Sequence, residues 1–402
     1  MTEANRSFWF FIIPLFLMTF FIFGEHLIVV PLSASISKAT GLPLVKAGLL
    51  VAIYPLAAAV SAFFSAPFSD RLGLKTMIIV LSLGFSASTL GFATANSVST
   101  ILFFRVLCGI CGGPVFASVL AFIGDKFKGK ERVRAITALM LTFSTASILA
   151  VPMGSWIGDT FGWRMPFYLI SGIVLICSIL ITRMTAISTG AETGKIMHQY
   201  LELIQLFQLA KVRKVFILQF FMIIGLFGFV PNVSVWLNLN YGFDATQIGL
   251  CYMQGGIGGF IGNNIAGFFL QRGYKDSLII TGSMIMGCFL VMATLELLPA
   301  IYVGIFFGGL MFGGSIRMPA LQVILTELIP INLRGRFMSM SMIVSNVTMG
   351  LGGIWGIQVL TVKAGRLEGM PIVGLIGGLS LLFVPYLVYL VRKELDKAEQ
   401  VF

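Results

Sequence analysis

Charge is what this sequence has least of. Lys, Arg, Asp and Glu make up 11% of its 402 residues, where a water-soluble chain carries roughly 25%. Hydrophobic residues reach 57% and mean hydropathy is +0.97, which excludes a wettable surface. Histidine occurs only twice, leaving no His/Asp metal cluster and no serine–histidine constellation, so an enzyme is not expected. No phosphate-binding loop with its lysine is present, which argues against an ATP-driven pump. The five cysteines, Cys108, Cys111, Cys177, Cys251 and Cys288, all fall inside apolar runs, so no disulfide framework is implied.

What remains is a chain whose solvent is mostly lipid, where only helices and closed barrels satisfy every backbone group. Its apolar runs are about 18–26 residues long without strict alternation, which fits helices. Twelve are expected, near 8–30, 47–69, 77–95, 98–124, 135–158, 165–182, 215–237, 247–269, 278–297, 301–326, 337–361 and 372–391. The N-terminus reads as a first span with no cleavage site, not as a removed leader. The net charge of +11 is an orientation signal, not a nucleic-acid footprint. With the N-terminus inside, 20 of the 27 Lys and Arg fall on the cytoplasmic side, five (Lys38, Lys46, Arg164, Lys363, Arg366) lie outside, and Arg105 and Arg317 fall within spans. The positive-inside rule then places both termini in the cytoplasm.

Residues 183–214 form the one long polar stretch between spans, and within it 195–210 has enough apolar residues to lie along the membrane surface as a helix. This joint separates an N-terminal bundle, 1–182, from a C-terminal bundle, 215–402. The halves resemble each other: Asp70-Arg71-Leu72-Gly73-Leu74-Lys75 is matched 200 to 201 residues later by Gln271-Arg272-Gly273-Tyr274-Lys275, and Gly112-Gly113 by Gly313-Gly314. Internal symmetry of this kind is what duplication leaves in transporters.

On these residues the chain resembles the major facilitator superfamily. The carrying motif is Asp70-Arg71-x-Gly73-x-Lys75, and Arg105-x-x-x-Gly109 in the fourth span is similar to the family's proton-linked motif. The resemblance implies an all-α membrane protein of twelve helices in two pseudo-symmetric six-helix bundles, with spans one, four, seven and ten around a central cavity. It also implies a cytoplasmic latch at Asp70, Arg71, Gly73 and Lys75. Asp125, Arg134, Arg272, Glu327 and Arg336 suit inner-gate contacts between the halves. Ala150-Val151-Pro152-Met153-Gly154-Ser155 is a degenerate form of the glycine–proline motif of proton-coupled exporters.

An arginine within a span costs roughly 2.5–3.5 kcal/mol on insertion scales, so it faces a partner or a hydrated path. Arg105 lies roughly 10 Å below the outer end of its span, and Glu25, counted back from Val30, lies at about the same depth. The two are expected to meet across the cavity as a proton-coupling pair, with His26 as a second titrating group. Arg317, about 24 Å from the outer end of span ten, is the expected substrate anchor; pairing with Glu327 is the alternative. Asn232, Trp236 and Asn238 could add substrate contacts, whereas Tyr54 reads as packing. The five glycines of span eight read as close helix packing.

The function expected is secondary transport of a small organic solute by alternating access. Proton-coupled export is the first choice, and proton-coupled uptake or exchange of a small organic anion the alternative. A non-transporting receptor on the same fold is a minor third. The partners expected are solute, protons and lipid bilayer, with no nucleic acid, no cofactor beyond the proton gradient and a monomeric chain in a bacterial inner membrane.

Overall fold

The computed structural model describes residues 3–184, 207–295, 299, 302–328 and 334–399, without the side chains of 3–7, 65–71, 334–336 and 395–399. The chain crosses twelve times. Span one is Glu3–Thr40, two Leu49–Leu72 and three Leu74–Thr94; span four joins Val98–Gly112 to Val115–Lys126. Span five runs from Gly129 to Phe161 through a π-helical turn, Ala146–Ala150, and span six is Met165–Thr182. Span seven joins Ala210–Phe229 to Val233–Tyr241 through a 3₁₀ turn, and spans eight to eleven are Ala245–Leu270, Lys275–Thr294, Val303–Leu328 and Arg334–Val359. Span twelve joins Met370–Leu382 to Val384–Glu399.

Eleven of these are long and apolar enough to cross a membrane. The exception in composition is span eight, where Gln247, Gln254, Asn263 and Asn264 dilute the apolar residues. Its glycines explain why it is helical in the bundle nonetheless. Gly258 packs against the Gly308 backbone and Gly262 against Phe312 and Ser315 of span ten. In lipid, such small-residue contacts supply the van der Waals contact that holds helices together.

Interruptions fall where proline removes a backbone donor. Span four breaks at Gly113-Pro114, and span seven tightens over Val230–Asn232 at Pro231. The π turn of span five sits immediately before Val151-Pro152. Span one, by contrast, runs through Pro14 and Pro31 and ends ten residues beyond the expected 30. Its serines are not at the water interface: Ser33 and Ser37 are buried, and Gly41, at φ +77°, stops the helix. Span seven starts five residues earlier than the expected 215. Most of the expected surface helix, 195–210, lies outside the described residues.

The two halves meet at the face opposite the termini, called here the far face. Ser234 Oγ donates to the Pro31 carbonyl at 3.0 Å, and Lys38 Nζ to Asn238 Oδ1 at 3.3 Å. Asp159, ending span five, accepts from both the backbone N–H and the hydroxyl of Thr246, each at 2.6 Å, at the start of span eight. Glycines bring the same helices close: Gly353 lies on Ala52, and Gly249 on Ser155 and Pro152. Also on the far face is a feature the all-helical expectation omitted, a hairpin of Thr361–Lys363 and Arg366–Glu368. Asn240 clasps it, donating to the Leu367 carbonyl at 3.1 Å and accepting from its N–H at 2.8 Å.

At the termini face, each half is tied to itself. Lys75 donates to the Thr182 carbonyl at 2.7 Å and also to that of Met184, and Lys275 pairs with Glu327. Among the described residues, the polar contacts between the halves named above lie on the far face and these within-half contacts on the termini face, which gives the fold a polarity.

A Cβ added at Gly353 would meet Ala52, whereas Gly172 has open space around it. Overpacking typically costs about 1–3 kcal/mol. Gly353→Val should therefore lower the thermal midpoint of the purified protein by several degrees, with Gly172→Val unchanged.

Candidate functional site

Between the halves lies a cavity of about 450 Å³, lined by residues of spans one, two, four, five, seven, eight, ten and eleven. Val30, Val51 and Val230 line it where the halves close, and Thr19, Asn263 and Met318 line it toward the termini face. Four phenylalanines and four methionines are among the lining residues. The size suits a small organic molecule.

Behind the wall of the N-terminal half is a fully buried ion pair. Arg105 Nη1 donates to Glu25 Oε1 at 2.6 Å, and both side chains have no exposure. Arg105 Nε donates to the Leu50 carbonyl at 2.6 Å, and Nη2 lies 3.1 Å from His26 Nδ1. A guanidinium only donates, so Nδ1 of His26 accepts and the ring proton sits on Nε2. The Arg105 guanidinium also lies 4.7 Å above the Tyr54 ring, which stacks on His26 at 4.4 Å. Glu25 Oε2 has no partner among the described residues.

Glu25 and Arg105 do not meet across the cavity. They pair within one wall, and it is His26 and Tyr54 that line the cavity in front of them. The Glu25–Arg105 contact bears out the expected shared depth, although span one continues fifteen residues, about 22 Å of helix, beyond Glu25 to Thr40. Tyr54, expected only to pack, forms part of the layer between ion pair and cavity.

Arg317 lines the opposite wall and is 2% exposed. Its Nη1 donates to Ser283 Oγ at 3.5 Å, and its Nε has no partner among the described residues. The alternative partner Glu327 is held by Lys275 instead.

The span-seven residues lie elsewhere. Asn232 is buried against Gly48 and Gly356 and bonds back to the Gly228 carbonyl at 3.0 Å. Trp236 packs edge-on against Phe229 and Tyr241. Asn238 donates to the Phe243 carbonyl at 2.9 Å and takes part in the far-face closure with Lys38. Val230 is the last residue of span seven to line the cavity, and none of the three is among the residues that do.

Of the residues expected at the inner gate, the described contacts of three are these. Arg134 lies over the Phe8 and Trp9 rings, Arg272 over Phe268, and Asp125 is exposed. Gly73 makes the tight turn between spans two and three at φ +78°. The side chains of Asp70, Arg71 and Arg336 lie outside those described. Residues that sequence reasoning passed over but that line the cavity include Asn263, Ser315, Asn346 and Tyr252. Uncharged polar residues inside apolar runs carry no periodic signal, so only the fold exposes them.

Residues 15–353 match the sequence model of the Major Facilitator Superfamily. The chain belongs to this superfamily. An uncharacterised MFS-type transporter, YceJ, of Bacillus subtilis (strain 168) is 25% identical over 303 residues, covering 73% of this chain and 75% of that protein. The purine ribonucleoside efflux pump NepI of Salmonella paratyphi B (strain ATCC BAA-1250 / SPB7) is 25% identical over 233 residues, 58% of this chain and 57% of that one. A solved D-xylose-proton symporter shares the fold, with a TM-score of 0.75 at 16% identity over 94% of this chain and 97% of that chain. Fold and superfamily are those of membrane transporters, not enzymes.

Breaking a buried ion pair from one side typically costs about 3–5 kcal/mol, whereas replacing both partners with apolar groups is often neutral. Glu25→Leu and Arg105→Met should each lower the thermal midpoint substantially. The double variant should melt above either single one.

Proposed function

We propose that this protein is a secondary transporter that exports a small organic solute in exchange for protons. The observation carrying this reading is the buried Glu25–Arg105 pair, separated from the cavity by only His26 and Tyr54. A charge pair at bilayer depth is a natural place for proton binding to alter structure. A proton on Glu25 would remove the charge that holds Arg105, leaving the guanidinium to its bonds with Leu50 and His26. Because those groups sit on spans one and two, which also carry far-face contacts, protonation and closure act on the same helices.

The distribution of basic residues makes the termini face cytoplasmic and the far face external. The described contacts between the halves then lie at the outer side, and in this reading the cavity loads from within, as an exporter's would. Efflux by a relative of this length favours export. In this reading the chain works as a monomer in the inner membrane, uses the proton gradient and needs no bound cofactor. A second reading, uptake or exchange of an organic anion, is favoured by Arg317, since no Asp or Glu is among the residues lining the cavity.

In proteoliposomes screened for solute-dependent proton flux, Glu25→Gln should lose proton movement. Proton movement that persists with cargo in that variant would overturn the coupling role. The outer closure is testable separately. Ser33 is fully buried behind it, so Ser33→Cys should react faster with an impermeant maleimide added from outside when Asp159→Ala is also present. No increase would remove Asp159 from the closure.

A further inference from the structure

We propose that the part of the cavity around Arg317 is a headgroup site for a small amphipathic organic anion. The inference rests on the transport reading of the same cavity and names the class of its substrate. Arg317 is buried, yet its only described bond, to Ser283, is 3.5 Å long, and its Nε is unpartnered. That length lies beyond the usual range for an N–H···O bond. A buried cation without a counter-charge is strongly disfavoured in a lipid-embedded protein. The position is tolerable where an anion arrives to pair with it.

The lining of the same cavity fits a planar, acceptor-rich group. Gly262 packs against Ser315, so spans eight and ten lie close together there. Ser315, Asn263 and Asn346 all line the cavity, and their side chains make no hydrogen bond among the described residues. Their hydroxyl and amide donors are therefore open to a ligand. Carboxylate, sulfonate and phosphate groups suit a guanidinium fork. An amine would meet like charge, and an uncharged polyol would leave the arginine unneutralised.

The body of the ligand is specified by what else lines the space. Met311, Met318, Met342 and Met349 all border it. Methionine is flexible and polarisable and adapts to varied apolar shapes, so the site selects strongly for the charge and weakly for the body.

The test uses the full-length protein in nanodiscs and equilibrium binding of 4-phenylbutyrate, 4-phenylbutanol and 4-phenylbutylamine. These share one body and differ in the head. The acid should bind at least about tenfold tighter than the alcohol, and the amine most weakly. Arg317→Gln should erase the gap between acid and alcohol while alcohol binding persists, which shows that the cavity is intact. Arg317→Lys should keep part of the gap. Equal affinities, tighter binding of the amine, no binding of the acid, or an acid preference that survives Arg317→Gln would overturn the assignment. Loss of the acid preference only when phosphatidylglycerol is included would mean that a lipid headgroup holds Arg317, and would overturn the solute assignment too. Acid binding through Arg317 without solute flux in proteoliposomes would support the site and count against transport.

Discussion

The chemistry of this protein depends on how a positive charge is accommodated where water is scarce. Arg105 and Arg317 are both buried in spans, and the fold treats them in opposite ways. Arg105 has a carboxylate at 2.6 Å, a carbonyl, an imidazole nitrogen and an aromatic face. Arg317 has a single long bond to a hydroxyl. One guanidinium is saturated and stands behind the wall; the other is unsaturated and stands in it. In the proposed function that contrast divides the labour between a group that responds to protons and a group that meets cargo.

Helix packing makes this contrast possible. Glycine contacts between spans two and eleven, and between five and eight, let backbones approach where the halves close. Below that closure the helices leave a cavity, bordered by phenylalanines and methionines together with Gly112, Gly113 and Gly314. The polar contacts at the tight end are few and mostly exposed, which suits a closure that is made and broken.

Much of this was legible in the sequence because charge is rare there. Two arginines and one glutamate inside apolar runs announce themselves, and Glu25 and Arg105 do lie in contact. The end of span one was less legible: the helix continues past the expected residue 30 to Thr40, with Ser33 and Ser37 buried along it. Asn232, Trp236 and Asn238 were misplaced for a related reason: the cavity-lining stretch of span seven ends at Val230, and proline in a membrane helix does not say which way the chain will bend. Span eight was recognised as an apolar run, with its glycines read as packing, although its hydropathy is weak. The hairpin after span eleven, six residues in two strands, is too short to leave an alternating pattern. Tyr54 and His26 had to be seen together before their layer in front of Arg105 had meaning.

The π-helical turn in span five has a consequence for the geometry of the closure. A π turn accommodates one residue more than an α-helical turn, so the segment beyond it is rotated by about 100° relative to a continuous α-helix. Phe143, which lines the cavity just before that turn, and Asp159, thirteen residues past its start, therefore owe their relative bearing to a single inserted position. The carboxylate that caps Thr246 points at the partner bundle because the helix carries this extra residue, which makes the angular phase of span five, and not its length, the quantity that links the cavity wall to the outer seal.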